Sequence, residues 1–496
     1  MLRTVAACSG GMMRPAAMAN ARMGSPLRTG PNGDERMKQS TAALAAIAVV
    51  ICLSAGAARG AEDANVPKRV AALEQQVGQL TELVKAQAQA LQAAQQSNSE
   101  LKAKINDVDW TAAKAAVMKD ADKRSDTRQN IWSNLDVQLY GKIKADAAFD
   151  TSRTDTGNYA RWVEHESTNR DDHQLNITAN ETRLGLRVNG PNVGEAKTSG
   201  VVEFDFFGGG AENKANPMMR HAYMQMDWAN LGLSLLAGQT WDVISPLNPP
   251  VLNYSVQWWA GNIGYRRPQV RLTKVCDLGG GTLLKLETAL ARNIGRTNGT
   301  TGFDPGDSGE DSGLPSFQGR ASVSFPFLAG QKATIGASGH YAQEEYDTDA
   351  TGRNLKADSW SANLDVDLPI TSWMAVKGEM FTGQDLDAYL GGIGQGVVVA
   401  NGRLTEIQGT GGWVAASLGP WGPWSFNIGY SGEFIDDGDV TSATARTCNS
   451  AIFGNAIYKI NSNASVGVEV SRWRTEYKGK DPGDSLRVQT SFIYSF

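Results

Sequence analysis

Long apolar runs are almost absent from this sequence. One stretch alone, TAALAAIAVVICLSAGAA at residues 41–58, resembles a membrane helix. Its apolar core of about a dozen residues is short of the ~20 that a bilayer requires, and a mean hydropathy of -0.33 excludes a bundle of such helices. The stretch follows Lys38 and ends in small residues, which is the layout of a secretory signal peptide. Residues 37–61 are therefore expected to be removed, with 1–36 an N-terminal extension or a start codon placed too early. Ile51 is too bulky for Cys52 to serve as a lipid anchor.

Positive charge is not in excess either. Without residues 1–61 the chain keeps 40 Lys plus Arg against 50 Asp plus Glu, which argues against nucleic acid as a partner. The four histidines, His165, His173, His221 and His340, are scattered without zinc-ligand spacing. The glycine runs 208–210 and 279–281 fall at strand links rather than in phosphate cradles. Asp347 to Asp358 has some of the spacing of a calcium loop, but joins two strands and ends in Asp where Glu is expected. No metal and no cofactor is expected.

What the sequence does contain is periodicity. From Val66 to Val108, apolar residues recur at alternating steps of four and three, through Val70, Leu73, Val77, Leu80, Val84, Leu91, Ala94, Leu101 and Ile105. This is a heptad seam, broken by polar Gln87 and Asn98, and predicts an α-helical coiled coil over 62–109; a single amphipathic helix is the alternative. Residues 110–131 are charged, have no seam and read as a linker.

From residue 132 the period changes to two. In LDVQLYGKIKADAAFD, residues 135–150, Leu135, Val137, Leu139, Ile143 and Phe149 alternate with Asp136, Gln138, Lys142, Lys144, Asp146 and Asp150. The same alternation recurs in TRLGLRVN, FQGRASVSF, WSANLDVDL, WSFNIGYSGEF and ASVGVEVS, among sixteen segments joined by eight long and seven short links. Strands span a bilayer only when the sheet closes on itself, because hydrocarbon offers no hydrogen bonds. The pattern therefore predicts an all-β transmembrane barrel of 16 antiparallel strands over 132–496, apolar towards lipid and polar towards a lumen. Trp132, Phe149, Trp228, Trp360, Trp373, Trp424 and Tyr494 fit its interfacial girdles. Cys276 falls in a short link and Cys448 in a long one, at opposite rims, so two free thiols are expected.

The terminal LRVQTSFIYSF, an alternating aromatic strand ending in Phe496, resembles the insertion signal of bacterial outer-membrane proteins. Export signal, heptad helix, the strand LYGKIKADAAFD and the run GQTWDVISPLNPPVLNYSVQWWAGNIGYRRPQVRL together resemble the DcaP-like porin family. The resemblance implies a homotrimer of sixteen-stranded barrels in the bacterial outer membrane, the coiled coil in the periplasm, and uptake of dicarboxylates and similar small anions.

The link from Trp241 to Asn262 carries three prolines and two adjacent tryptophans, a poor composition for a floppy loop. As the third long link it is expected to fold into the lumen, with Asp242, Asn248, Tyr254 and Gln257 at a constriction, or else to pack over the rim. Cations on inward positions, Lys142, Lys144, Arg183, Arg187, Arg267, Arg271 and Arg320, with Arg266 beside them, suggest a filter for anions. The alternative is that they balance inward Glu203, Asp205, Asp365, Asp367, Glu379 and Glu433 in a mixed lining. A porin passing small hydrophilic solutes, preferring anions, follows from these features, and no enzymatic chemistry is needed. A structural anchor reaching the cell wall through the coiled coil, or a barrel-based hydrolase, remain the other readings.

Overall fold

The computed structural model describes residues 135–496 apart from 168–171, 210–213, 294–308, 311, 349–352 and 401–402, together with Lys85, Gln89, Gln92 and Gln96. Those four residues are helical and exposed, and none lies on the heptad seam. The expected extension, signal peptide and linker lie outside the described residues, as does the expected coiled coil apart from these four positions. No described helix is long and apolar enough to cross a membrane.

The strands, in chain order, are β1 (Asp136–Asp150), β2 (Gln174–Thr178), β3 (Arg183–Asn189), β4 (Lys197–Asp205), β5 (Met218–Trp228), β6 (Leu233–Trp241), β7 (Arg266–Gly279), β8 (Thr282–Ala291), β9 (Ser316–Pro326) and β10 (Lys332–Thr348). They continue with β11 (Arg353–Thr371), β12 (Met374–Gln384), β13 (Val397–Ala400), β14 (Arg403–Glu406), β15 (Gln408–Trp421), β16 (Trp424–Ile435), β17 (Arg446–Lys459), β18 (Ala464–Tyr477) and β19 (Gly483–Ser495). β13 and β14 form a separate hairpin inside one link. The other 17 make one antiparallel sheet, in which β2 and β3 take up successive halves of the same edge of β1, so the wall has 16 staves. The sheet closes where β1 pairs with β19. There Gly141 and Phe496 exchange both backbone hydrogen bonds, at 3.0 and 3.1 Å.

Burial is inverted relative to a soluble protein. On β1, apolar Leu139 and Ile143 are 60% and 54% exposed, whereas Lys144 and Asp150 on the opposite face are 2% and 0% exposed. Leu364 and Val414 on β11 and β15, and Val468 and Phe492 on β18 and β19, are likewise exposed. A face like this is stable only in contact with lipid. Trp373, Trp421, Trp424 and Tyr458 cluster at the short-link rim, with ring centroids 5.9 Å apart for Trp373 and Trp421 and 4.9 Å for Trp424 and Tyr458. Such amphipathic rings mark a membrane–water interface.

The second stave is not the uninterrupted strand that its alternation suggests. Thr178 pairs with Asp146 and Arg183 with Lys142, so four residues of the second stave oppose three of β1. The extra residue is a bulge, closed by a hydrogen bond from Thr182 N to Ala179 O at 2.9 Å. It turns Glu181 inward between Lys142 and Lys144.

The thiols differ from expectation. Cys276 is free, but Cys448 is disulfide-bonded. Both lie in strands, Cys276 in β7 and Cys448 in β17, rather than in the links expected to hold them.

The exposure pattern gives the first prediction. Ile143→Arg should lower folding stability by about 2–4 kcal/mol in urea titrations of vesicle-folded protein, while Gln138→Arg on the lumen side of the same strand should cost about 0–1 kcal/mol. Equal costs would mean that the assigned faces are wrong.

Candidate functional site

Residues 242–265, joining β6 to β7, run inside the barrel and are tied to walls on several sides. Val243 N donates to Gln318 Oε1 on β9 at 2.8 Å, Leu247 N to Glu379 Oε1 on β12 at 2.7 Å, and Leu252 N to Glu469 Oε2 on β18 at 2.7 Å. Leu252 O accepts from Lys144 Nζ on β1 at 2.7 Å and from Gln489 Nε2 on β19 at 2.9 Å. Pro250 O and Trp259 O accept from Asn455 and Asn449 on β17. A segment crossing a lumen has no ladder of its own, so the backbone groups that its own turns and the neighbouring link leave open need side-chain partners. The inward carboxylates and amides of the wall provide it.

Two further links fold inward against this one. Residues 385–396 bring Leu386, Ala388 and Tyr389 against Ile244, Ile263 and Phe381, and residues 151–173 bring Ala160 and Val163 against Ala260, Ala451 and Trp473. Glu433 on β16 accepts from Gly392 N at 2.5 Å. Among the described residues, positive φ outside glycine occurs at Ser245, Val256, Gln257, Trp259, Asp385, Leu390 and Ile393, all in the first two of these inward links. Strain of this kind persists only where surrounding packing holds it.

The sequence-predicted cations separate into two groups and two single residues. Lys142 and Lys144 share Glu181, Lys142 Nζ lying 2.5 Å from Oε1, and Lys144 is also 3.5 Å from Asp146. Arg183 lies 3.4 Å from Glu203, and Arg267 is fully buried against Asp242 at 2.8 Å, donating to Ala388 O at 3.0 Å, with its guanidinium 3.9 Å from the Tyr389 ring centroid. These four hold wall and loops together. Arg271 and Arg320 form a second group, lining a cavity of about 170 Å³ with Lys285, Glu287 and Asn248. Arg320 reaches Asp365 at 2.7 Å and Glu287 at 3.2 Å, and Arg271 lies 3.8 Å from Glu287. Arg187 is exposed on the wall of β3, 5.7 Å from the Tyr140 ring. Arg266 stands alone among aromatic rings.

The loop residues separate as well. Asp242 forms an ion pair with Arg267 and accepts from Gln318 at 2.7 Å and from Tyr265 N at 2.9 Å. Tyr254 donates to Asp205 at 3.1 Å and stacks on Phe207 at 3.8 Å. Gln257 is fully buried, and its amide has no hydrogen-bond partner among the described residues. Only Asn248 is exposed, and it faces the cavity.

Sequence reasoning missed Lys285, Glu181, Glu287 and Glu469, and the inward course of 151–173 and 385–396. Lys285 and Glu287 were legible as inward positions on an alternating strand. The loop courses had no local signal. His340 lies between Ser361 Oγ at 2.7 Å and Ser359 Oγ at 3.0 Å and stacks on Tyr389; both ring nitrogens meet hydroxyls, so no carboxylate orients it as a hydrolytic triad would.

The DcaP outer membrane protein family matches residues 70–303. Among solved structures, the outer membrane channel DcaP of Acinetobacter baumannii is similar at 23% identity and a TM-score of 0.60, over 74% of this chain and 98% of that one. Weaker likenesses are the anion-selective porin from Comamonas acidovorans, at 13% identity and a TM-score of 0.47 over 73% of this chain and all of that one, and a loop-deletion mutant of OmpT of Vibrio cholerae, at 12% and 0.46 over 73% and 99%. No curated protein matches the chain.

Two outcomes are expected from this packing. Gly261 has φ 108°, and an added Cβ would lie 2.3 Å from Gly412 O and 2.7 Å from Gly432 N, so Gly261→Ala should displace the crossing segment and raise single-channel conductance. An unchanged conductance would mean that the segment does not limit the opening. Asp385, just beyond β12, is pushed well above the usual carboxylate range by burial, and Glu344 and Asp387 add repulsion. A carboxyl whose folded value is raised binds its proton more tightly in the native state, so its contribution is intact below about pH 4 and is lost as pH rises above that. Asp385→Asn should therefore raise the thermal midpoint in detergent at pH 8 and hardly at pH 4; an equal change at both would assign the effect to packing.

Proposed function

We propose that this DcaP-like chain is an outer-membrane porin that passes small hydrophilic solutes by diffusion and prefers anions, dicarboxylates among them. The coarser part of that reading, an outer-membrane channel, follows from the family likeness and from a closed barrel with an apolar exterior. The anion preference is supported by one observation above all. Of the residues that line the 170 Å³ cavity, Arg271, Lys285 and Arg320 outnumber the carboxylates Asp242 and Glu287 by one charge. In a narrow passage with low-dielectric walls, such an excess raises the local concentration of anions.

Arg also grips a carboxylate through its planar fork, which supports recognition beyond bulk attraction. Assembly as a homotrimer, with a heptad helix in the periplasm that reaches towards the cell wall, belongs to the same proposal. In it the mechanism is exclusion by the width left beside segment 242–265, combined with electrostatic selection along β7, β8 and β9. No covalent step is involved.

The combined variant Arg271→Ala, Lys285→Ala should move the reversal potential in planar bilayers under chloride and succinate gradients towards cation preference. A ratio equal to that of the unaltered protein would remove both residues from the filter, and negligible conductance in the unaltered protein would favour a structural anchor.

A further inference from the structure

Arg266 stands apart from every other cation of the barrel. It opens β7, is 2% exposed, and none of its guanidinium nitrogens has a hydrogen-bond partner among the described residues. Its neighbours are rings: Trp241 at 4.8 Å, Tyr265 at 5.2 Å and Trp258 at 5.9 Å from the guanidinium carbon. Cation–π contact offsets part of the lost hydration but satisfies no N–H donor, and a buried, unpaired guanidinium is costly. The group therefore lacks an acceptor that the described chain does not provide.

The charge count around it shows what kind of acceptor fits. Arg220 binds Glu203 at 2.8 Å and Asp205 at 2.7 Å, and Arg183 leans on Glu203 at 3.4 Å. With Arg266, three guanidinium groups face two carboxylates. The Tyr254 hydroxyl donates to Asp205 and turns its oxygen towards Arg266, but brings no charge. One negative charge completes the set.

Arg266 borders a cavity of about 470 Å³ between the three inward links, walled chiefly by Tyr159, Phe207, Tyr254, Trp258, Trp259 and Tyr265. Phe207 stacks on Tyr254, and Tyr159 meets both edge-on, with centroids 5.2 and 5.1 Å away. Arg161 also borders the cavity, but is bound to Asp155 and packed on Trp162 and Trp259. Leu390 and Ala388 line the wall as well. The guanidinium nitrogens are themselves covered, so a carboxylate reaches them when a covering ring turns aside, and the ring faces then take a flat body.

We propose that this chamber binds an aromatic monocarboxylate, with its carboxylate on Arg266 and its ring among Tyr254, Trp258 and Tyr265. The inference rests on the porin reading, since the ligand arrives through the lumen. It also separates the chamber from the cation-lined cavity beside β7 to β9. A second carboxylate would have to lie against apolar rings, at the desolvation cost of an unpaired ion, so a short dicarboxylate is a poor ligand here.

Isothermal titration of the full-length protein in detergent with benzoate, benzamide and succinate tests this, with bilayer conductance recorded in parallel. Benzoate should bind saturably and about tenfold or more tighter than benzamide or succinate, Arg266→Met should lose about the same factor, and Arg266→Lys should retain part of it. Benzoate binding no tighter than benzamide, or unaffected by Arg266→Met, overturns the proposal. If Arg266→Met does not fold, as judged by loss of its compact band on unheated gels, Arg266→Lys and Phe207→Leu carry the test, and undiminished benzoate affinity in both has the same meaning. Conductance without benzoate binding sinks the chamber alone; benzoate binding without conductance sinks the porin reading and leaves the chamber.

Discussion

Hydrocarbon offers no partner to a backbone N–H or C=O, and each group left open there costs several kcal/mol. Every other feature of this wall follows from that. The ladder must run around a complete circle, which is why the chain's end returns to its first strand and Phe496 pairs with Gly141. Once the circle is closed, alternate side chains have no choice of side, and a slip by one residue would put lysines into lipid.

The same accounting governs the interior in another form. The inward links are irregular backbone enclosed by protein, so their amides need acceptors. Glu379, Glu433 and Glu469 accept from Leu247, Gly392 and Leu252, while Lys144 and Gln489 donate to the Leu252 carbonyl. Hydrogen bonds that involve a charged group contribute about 1.5–3 kcal/mol each, more than neutral ones. Much of the inward charge that alternation reveals is therefore spent on holding loops, and only part of it faces solute. Lys142, Lys144 and Arg267 belong to the first use, and Arg271, Lys285 and Arg187 to the second.

That division explains which parts of the site were legible in advance. Alternation identifies inward positions because the pleat alone decides them, and Arg271, Arg320 and Glu203 lie where it puts them. It cannot say whether an inward lysine is free, since the answer depends on Glu181, which reaches the lumen only through a bulge in the next stave. Nor could it foresee Arg266 among aromatic rings. Its ring neighbours Trp241, Trp258 and Tyr265 belong to the stretch before it, but Tyr159 and Phe207, which complete the chamber, come from two other links, and their meeting depends on how the loops fold over one another. The disulfide at Cys448 has the same character.

By itself the sequence determined the barrel, its strand number, the sidedness of each strand and the division into long and short rims, because all of these follow from a period of two and from the spacing of turns. It also marked residues 241–262 as unlike a free loop, by their prolines and paired tryptophans. Only the tertiary structure decided where charges neutralise one another and where they do not. Some ion pairs skip a strand, as Arg320 and Asp365 do, or join wall to link, as Arg267 and Asp242 do, and local pattern holds no information about such distances.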